Sequence, residues 1–203
     1  MNDPLPVIYL ARHGETAWSL SGQHTGRTDL PLTSQGEENA RRLGERLRTE
    51  SFPHVWCSPL QRAAQTCALA GFGSVAVADS DLMEWDYGDY EGRKTSEIRR
   101  ERPDWDLFRD GCPGGETLAA ISERADRVVA RLRSAGGRAL IFSSGHILRV
   151  ITARWLGLPA SEGRLFLLGT ASLSQLSYEH TRERPAIQLW NDTQHLTVPI
   201  LPR

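Results

Sequence analysis

The sequence predicts an α/β fold, a three-layer α/β/α sandwich with a mostly parallel central sheet. Two observations support this class. Short β-branched or apolar runs alternate along the chain with segments of helical periodicity, as expected when helices pack on both faces of a sheet. Residues 7–11 and 138–142 are also nearly continuous in apolar side chains, which is typical of strands buried on both faces.

In the first half of the chain, the strand at 7–11 is followed by a polar loop to about residue 32 and then by a helix. Ser34-Gln35-Gly36-Glu37 has the spacing of a capping box, which predicts the start of this helix at Ser34. The apolar face of the helix repeats at three- and four-residue intervals. It carries Ala40, Leu43 and Leu47.

A second strand is predicted at residues 54–57, directly before another helix start. Ser58-Pro59-Leu60-Gln61 combines an N-cap serine, a proline at the first helical position and a glutamine three residues after the cap. A weaker strand is predicted at residues 75–77.

The second half of the chain repeats the same alternation. A long amphipathic helix is predicted from Thr117 to Ala135, ended by two glycines, and it precedes the strand at 138–142. A helix from about His146 to Leu156 follows, and Gly157 and Pro159 end it. Two final strands are predicted at residues 173–178 and 187–190.

Length, charge and cysteine content bound the class of protein. At 203 residues the chain is expected to form one domain over residues 1–203. Its 24 Lys and Arg against 25 Asp and Glu give a net charge of −1, which favours neither nucleic acid nor an anionic membrane as partner. Three cysteines without CxxC spacing indicate neither a disulfide framework nor a zinc knuckle.

A cytoplasmic location is expected from two features of the chain. Residues 1–4 lack the basic start and apolar run of a signal peptide. The most apolar stretch, residues 139–158, is interrupted by His146, Arg149 and Arg154, which argues against a membrane span.

Three of the predicted strand-to-helix turns carry polar, chemically useful side chains. They are Arg12-His13-Gly14, residues 58–62 and Ser144-Gly145-His146. Because the carboxyl ends of parallel strands and the amino ends of the following helices share one edge of a sheet, these turns are expected to converge. The sequence therefore predicts a ligand site at this edge.

Basic residues in these turns suit an anionic ligand. His13 directly follows a buried strand, between Arg12 and a glycine that lets backbone approach a ligand, although a surface His–Arg pair fits the tripeptide equally well. Arg62 lies in the first turn of its helix, where the helix dipole disfavours a cation unless an anion binds between them. A solvated arginine that points away is the alternative.

Residues 82–92 contain four acids interleaved with three aromatic residues. Glu84 lies among these rings, whose apolar surroundings favour a protonated carboxyl. Phosphoryl transfer needs such a group to protonate the leaving oxygen. A surface loop with its aromatics packed in the core would explain the rings but not the acids.

The sequence surroundings of the remaining histidines identify one further candidate site residue. His146 opens a helix after a buried strand, where it can donate to a bound anion or serve a structural role. His24, His54, His180 and His195 lack such a context and are interpreted as structural. No metal is expected, because no HExxH or His-x-His spacing is present and the nearby arginines oppose a cation.

Taken in order, these motifs resemble the histidine phosphatase superfamily in its phosphoglycerate-mutase-like branch, from Val7 to about Leu196. Residues 84–92 are most similar to the sedoheptulose-bisphosphatase and acid-phosphatase group. The motifs that carry the resemblance are Arg12-His13-Gly14-Glu15-Thr16, residues 25–33, Ser58-Pro59-Leu60-Gln61-Arg62-Ala63, residues 84–92 and Gly114-Gly115-Glu116-Thr117.

The resemblance implies a mechanism for the residues already singled out. His13 would take the phosphoryl group as nucleophile, Arg12 and Arg62 would hold the phosphoryl oxygens, and Glu84 would act as general acid and then base. No metal or organic cofactor is implied. The remaining positions expected near the phosphate or the substrate are Ser19, Thr25, Gly26, Tyr87, Ser144 and Gly145.

The chain departs from the family pattern at one catalytic position. The family's second catalytic histidine directly precedes a glycine, and here Ser144 precedes Gly145. Ser144 could still donate to a phosphoryl oxygen as a neutral group. We hypothesise that His146, two residues later, supplies the missing donor.

A second departure favours hydrolysis over phosphoryl transfer between substrates. Family mutases carry a long insertion that covers the site, whereas only 21 residues lie between Gly92 and Gly114 here. The expected function is therefore a phosphomonoesterase that acts on small phosphorylated metabolites, with sugar phosphates as the class that the resemblance implies. A cofactor-dependent phosphoglycerate mutase and a phosphate-binding regulatory protein with a degraded site remain alternatives, and the oligomeric state is open, a homodimer included.

Overall fold

The computed structural model describes residues 5–197. Residues 1–4, on which the expectation about a signal peptide rests, lie outside the described residues. Within the described range, six strands form one sheet in the order β3-β2-β4-β1-β5-β6. The strands are β1 (Val7–Arg12), β2 (His54–Cys57), β3 (Val77–Ala78), β4 (Arg138–Ser143), β5 (Leu173–Tyr178) and β6 (Pro185–Asp192).

The sheet is mostly parallel, as the sequence predicts. β3, β2, β4 and β1 run parallel to one another, and β5 and β6 extend the sheet in antiparallel fashion. β1 and β4 lie side by side in the centre, with Val7 opposite Arg138 and Arg12 opposite Ser143. This register brings the turns that follow the two strands together at one edge of the sheet.

Helices cover both faces of the sheet and complete the three layers. The seven α-helices in residues 5–197 are α1 (Ala17–Ser21), α2 (Ser34–Leu47), α3 (Gln61–Leu69), α4 (Thr95–Glu101), α5 (Leu107–Asp110), α6 (Leu118–Ala135) and α7 (Gly145–Trp155). Alternate residues of β1 explain the arrangement: Tyr9 and Ala11 pack with α2 and α3, whereas Ile8 and Leu10 pack with α6 and α7. Period-two alternation on a strand buried on both faces produces two separate cores.

The helix starts differ from the prediction in the identity of the caps. Thr33, not Ser34, caps α2, and its hydroxyl accepts from Gly36 N at 3.0 Å. α3 begins at Gln61 without a side-chain cap from its own first turn, and Ser58 Oγ is 3.4 Å from Leu60 N. Gln61 N instead donates to Asp29 Oδ1 at 2.7 Å, so a carboxylate from another loop caps this helix.

Three short helices escaped the sequence analysis, and two of them lie in the segment between Gly92 and Gly114. α4, α5 and the link between them bury Ile98, Phe108 and Trp105, respectively, in the core that faces α7. Short helices gain their stability from such packing rather than from local periodicity. The segment between Gly92 and Gly114 is therefore packed against the core of the domain. Within residues 5–197, no helix has both the length and the apolar character needed to cross a membrane.

Candidate active site

A cavity of about 230 Å³ opens at the edge of the sheet where β1 and β4 end. Its lining contains eight of the eleven residues that the sequence analysis singled out. They are Arg12, His13, Ser19, Thr25, Glu84, Tyr87, Gly145 and His146. The other three, Arg62, Gly26 and Ser144, are buried next to residues of the lining.

His13 presents a neutral ring with one free nitrogen. Nδ1 donates to the carbonyl of Gly14 at 2.7 Å, since a carbonyl can only accept, and this bond leaves the lone pair on Nε2. Burial lowers the pKa of His13 well below its ordinary value of 6.5, and the charges of Arg12 and Arg62 lower it further. Near neutral pH the side chain is therefore an unprotonated imidazole.

The turn that carries His13 is held by close backbone packing. Gly14 N donates to Thr66 Oγ1 at 2.9 Å, which ties the turn to α3. A Cβ at Gly14 would lie 2.5 Å from the carbonyl oxygen of Gly36, so only glycine permits this approach. This packing holds the backbone next to His13, and the hydrogen bond from Nδ1 to Gly14 orients the His13 ring.

Arg12 and Arg62 supply positive charge to the same site in different ways. Arg12 lines the cavity, and its Nη1 donates to the carbonyl of Leu168. Arg62 is fully buried and donates to the carbonyls of Thr25, Gly26 and Thr28 at 2.9, 3.0 and 3.1 Å, respectively. Arg62 thus braces the loop that contains Thr25 and Gly26 while its charge acts on His13.

The prediction that an anion compensates Arg62 at the start of its helix needs correction. That anion is present within the chain, because the carboxylate of Asp29 caps α3. Burial lowers the pKa of Arg62, and the negative charges of Glu84 and Asp29 partly oppose this shift. The alternative of a solvated Arg62 is also wrong, since the side chain is fully buried. The helix start by itself therefore gives no indication of a bound phosphate.

Glu84 joins the loop before α4 to the start of α7. Its Oε1 accepts from Trp85 N at 2.9 Å and from Ile147 N at 2.8 Å, and its Oε2 accepts from His146 N at 2.9 Å. The carboxyl group thereby caps α7 from outside the helix. It is 4% exposed and lines the cavity, which places an acid–base group beside the anion site.

The capping role of Glu84 leaves Ser144 without its usual partners. Ser144 is the N-cap residue of α7, where a serine hydroxyl normally accepts from the second or third amide of the helix. Those amides, His146 N and Ile147 N, already donate to Glu84. The hydroxyl of Ser144 is consequently buried and has no hydrogen-bond partner among the described residues.

His146 and Tyr87 form a close pair in the lining of the cavity. The distance from Tyr87 Oη to His146 Nδ1 is 2.5 Å, and His146 Nδ1 lies 3.9 Å from Glu84 Oε2. Burial lowers the pKa of His146 well below 6.5, and the charge of Arg149 lowers it further. This second imidazole is therefore also neutral near neutral pH.

Two titratable cavity residues were missed from sequence. His24, interpreted as structural, lines the cavity, with its Nε2 3.2 Å from Thr95 Oγ1 and its ring centroid 4.8 Å from that of Tyr87. Arg149 also lines the cavity and donates from Nε to the carbonyl of Gly163 at 2.9 Å. Its spacing of three residues after His146 places it on the same helix face and could have indicated it, whereas no local signal marks His24.

The geometry suits an anion with several oxygens. Three of the buried polar atoms without a partner among the described residues belong to this site, and each of them can donate a hydrogen bond. They are Arg12 Nε in the cavity lining and, buried behind that lining, Arg62 Nε and Ser144 Oγ. Across residues 5–197, no group of three or more His, Cys, Asp or Glu side chains is placed to hold a metal ion.

A neutral histidine at the end of a central strand, one part-buried and one fully buried arginine, and a carboxyl group form an arrangement that suits a phosphate ester on an α/β fold. Residues 8–193 match the family model for the histidine phosphatase superfamily (branch 1), and the chain belongs to this superfamily.

Relatives with names or structures lie within the same superfamily. The chain is 43% identical to an acid phosphatase of Mycobacterium tuberculosis over 177 residues, which cover 85% of this chain and 87% of the relative. It is 40% identical to sedoheptulose 1,7-bisphosphatase of Saccharomyces cerevisiae over 186 residues, 75% of this chain and 68% of the relative. A solved structure of a Mycobacterium tuberculosis open reading frame product superposes with a TM-score of 0.86 at 38% identity, covering 94% of this chain and 98% of that one.

Proposed function

We propose that this protein is a phosphomonoesterase that hydrolyses small phosphorylated metabolites, sugar phosphates foremost, through a phosphohistidine formed on His13. One observation carries the proposal. The Nδ1 hydrogen of His13 is hydrogen-bonded to the carbonyl of Gly14, which leaves Nε2 unprotonated in a cavity to which Arg12 in the lining and Arg62 buried behind it attract an anion. Membership in the histidine phosphatase superfamily supports the same chemistry.

In the first step, the lone pair of His13 Nε2 attacks phosphorus and the bond from phosphorus to the leaving oxygen breaks. Glu84 donates a proton to that oxygen, so an alcohol leaves and the carboxylate remains. Oε2 of Glu84 accepts only one backbone hydrogen bond, whereas Oε1 accepts two, so Oε2 is the oxygen better able to carry the proton. General acid catalysis of this kind contributes roughly 10²- to 10⁴-fold.

In the second step, water attacks the phosphohistidine and Glu84 takes the proton from the water. The bond between nitrogen and phosphorus breaks, inorganic phosphate leaves, and His13 returns to its neutral form. The fixed charges of Arg12 and Arg62 stabilise the negative charge that develops on the phosphoryl oxygens in both steps. Both guanidinium groups are held by carbonyls before the substrate binds, so little reorganisation is required.

The substrate class follows from size, charge and relatives. A cavity of about 230 Å³ suits a small metabolite, and Arg149 adds a positive charge to its lining. The named relatives are an acid phosphatase and a sedoheptulose bisphosphatase, which supports phosphorylated sugars as substrates here. The proposal also includes one domain over residues 1–203 and neither nucleic acid nor membrane as partner. It includes a cytoplasmic setting, which agrees with the free thiols of Cys57, Cys67 and Cys112.

The test is phosphate release from a chromogenic aryl phosphate and from a panel of sugar mono- and bisphosphates, with wild type beside His13→Ala. We expect turnover without added metal, lost in the variant. Exchange of phosphate between phosphoglycerates without net release would instead indicate a mutase. A rise in melting temperature with phosphate esters but no release in the wild type would indicate a binding protein, and either result would overturn the proposal.

A further inference from the structure

Tyr87 and His146 make one of the shortest contacts in the cavity wall, and the proposed reaction does not use it. Tyr87 is 1% exposed, and its hydroxyl lies 2.5 Å from His146 Nδ1. The His146 side chain is 24% exposed and faces the cavity. The pair therefore links a buried phenol to an imidazole that a substrate can reach.

The direction of this hydrogen bond follows from the state of the two groups. Burial and the nearby carboxylate of Glu84 raise the pKa of Tyr87 well above 10, so the phenol keeps its proton. His146 is neutral and carries a single N–H. A protonated phenol can donate or accept, but if Tyr87 accepted from Nδ1–H, its own buried hydrogen would have no acceptor within residues 5–197. Tyr87 therefore donates to Nδ1, and the hydrogen of the imidazole resides on Nε2.

The Nε2–H group has no hydrogen-bond partner within residues 5–197, although several contacts hold the ring in place. His146 N donates to Glu84 Oε2 at 2.9 Å, which anchors the backbone of the residue. Phe108 and His24 pack beside the ring, with centroid distances of 5.6 and 6.1 Å, respectively. A ring fixed on these sides presents its Nε2–H group as a preorganised donor.

We propose that Tyr87 is a positioning residue that fixes His146 as the Nε2–H tautomer, and that His146 donates this hydrogen bond to an oxygen of the bound phosphate ester. The inference rests on the proposed function. It assigns to His146 the hydrogen bond that the family's second catalytic histidine, replaced here by Ser144, would donate. Ser144 Oγ is fully buried, whereas His146 reaches the cavity. The chain thus uses a neutral donor held by a tyrosine at this wall of the site.

The first experiment compares Tyr87→Phe with Tyr90→Phe. In Tyr87→Phe the phenyl ring would fill the same space without the hydroxyl, and we expect kcat/KM to fall roughly tenfold, the effect of about 1.4 kcal/mol from one lost preorganised hydrogen bond. Tyr90 is in the same loop and also buried, but its hydroxyl accepts from Arg102 at 3.1 Å, so Tyr90→Phe serves as the control with unchanged kcat/KM. Equal kcat/KM for wild type and Tyr87→Phe would overturn the proposal.

A second pair of variants separates the donor position from packing. In His146→Gln the side-chain amide nitrogen reaches the place of Nε2, whereas in His146→Asn it reaches only the place of Nδ1. We expect His146→Gln to retain several-fold more activity than His146→Asn, and Tyr87→Phe to have no further effect in the His146→Gln background, because an amide needs no tautomer selection. Equal loss in both His146 variants would contradict the assignment.

Nitrogen-15 NMR of the histidine-labelled free protein tests the tautomer without any turnover. The expected spectrum shows His146 with an unprotonated Nδ1 and a protonated Nε2, and Tyr87→Phe shifts both signals towards a mixture of tautomers. A protonated Nδ1 in the wild type would refute the inference. Because this measurement needs no substrate, its outcome is independent of whether the proposed phosphatase activity is found.

Discussion

Two adjacent serines show how single residues differ in role at the active site. Ser143 and Ser144 are both fully buried, at the end of β4 and the start of α7. Ser143 Oγ donates to the carbonyl of Leu82 at 2.6 Å, whereas Ser144 Oγ has no partner among the described residues. Burial removes both hydroxyls from water at a cost in free energy. The hydrogen bond of Ser143 offsets this cost, whereas for Ser144 the cost remains.

Alanine substitutions at the two serines are therefore expected to have unequal effects. Ser144→Ala removes an unsatisfied group and should leave the free energy of unfolding unchanged or raise it by up to about 1 kcal/mol. Ser143→Ala strands the carbonyl of Leu82 and should lower it by about 1–3 kcal/mol. Urea denaturation measures both, and a larger loss for Ser144→Ala would show that its hydroxyl has a structural partner.

The pH dependence of the reaction tests the state of His13. Because burial and two arginines hold its pKa well below 6.5, protonation of the nucleophile should reduce kcat/KM only well below that pH. The pH profile of kcat/KM is measured with an aryl and an alkyl phosphate. If the midpoint of its acid limb differs between the two substrates, the group that titrates is the substrate phosphate and not His13. A limb common to both, with a midpoint near 6.5, would contradict the account.

For single residues, the sequence predicted which side chains lie in the cavity better than it predicted the hydrogen bonds that they make. Strand ends and helix starts identified Arg12, His13 and His146 because backbone topology alone brings those positions together. Glu84 was identified instead from the acids and aromatic residues of 82–92. The partners of Arg62 and the unpartnered hydroxyl of Ser144 depend on loops that return from distant parts of the chain. Such contacts have no local pattern, and for the same reason His24 was assigned a structural role.

Among the elements, α3 shows a local pattern overridden by a tertiary contact. The spacing from Ser58 to Gln61 predicted a capping box, but the structure starts α3 at Gln61 and caps it with Asp29. Asp29 lies on the loop that Arg62 braces through Thr28. The cap and the arginine therefore attach the same loop to the helix from two sides.

This arrangement predicts that Asp29 contributes more to the stability of α3 than Ser58 does. Asp29→Ala should lower the free energy of unfolding by about 1 kcal/mol, the usual effect of a lost N-cap, and Ser58→Ala should lower it by less. Asp29→Asn keeps an acceptor oxygen and serves as the matched control. Thermal denaturation compares the stability of the three variants. A greater loss of stability in Ser58→Ala than in Asp29→Ala would show that Ser58 caps α3, as the sequence predicted.

For the whole molecule, the buried histidines couple stability to pH. Burial lowers the pKa of His13, His24, His146 and His195 below 6.5, so below that pH the unfolded chain binds more protons than the folded one. The stability held above pH 6.5 is therefore lost progressively as the pH falls through and below 6.5. Carboxyl groups titrate near pH 4, so the range from 7 to 5 isolates this effect.

Chemical denaturation at pH 7, 6 and 5 measures this dependence. We expect the free energy of unfolding to decrease steadily, with a smaller slope in His24→Asn, which lacks one of the four groups. His180→Asn is the control, because that side chain is 79% exposed. A stability that stays constant between pH 7 and 5 would contradict the burial of neutral imidazoles.

The overall architecture followed from the sequence more completely than its details. Continuous apolar runs predicted the central strands, and their alternation with amphipathic helices predicted three layers, because burial on two faces requires them. Short elements such as α4 and α5 were missed, since they are stabilised by the packing of Ile98, Trp105 and Phe108 rather than by periodicity. Of the segment that they form, Thr95 lines the cavity.

The central claim is a covalent phosphoryl group on His13, and rapid denaturing quench during turnover, without acid, tests it most directly. Intact-protein and peptide mass spectrometry, performed at neutral to basic pH after a brief quench, should find one phosphoryl group per chain, located on His13 and labile to prolonged acid. The His13→Ala variant should carry none and release no phosphate. Phosphate release by His13→Ala at the wild-type rate, or a phosphoryl group on another residue, would contradict the account.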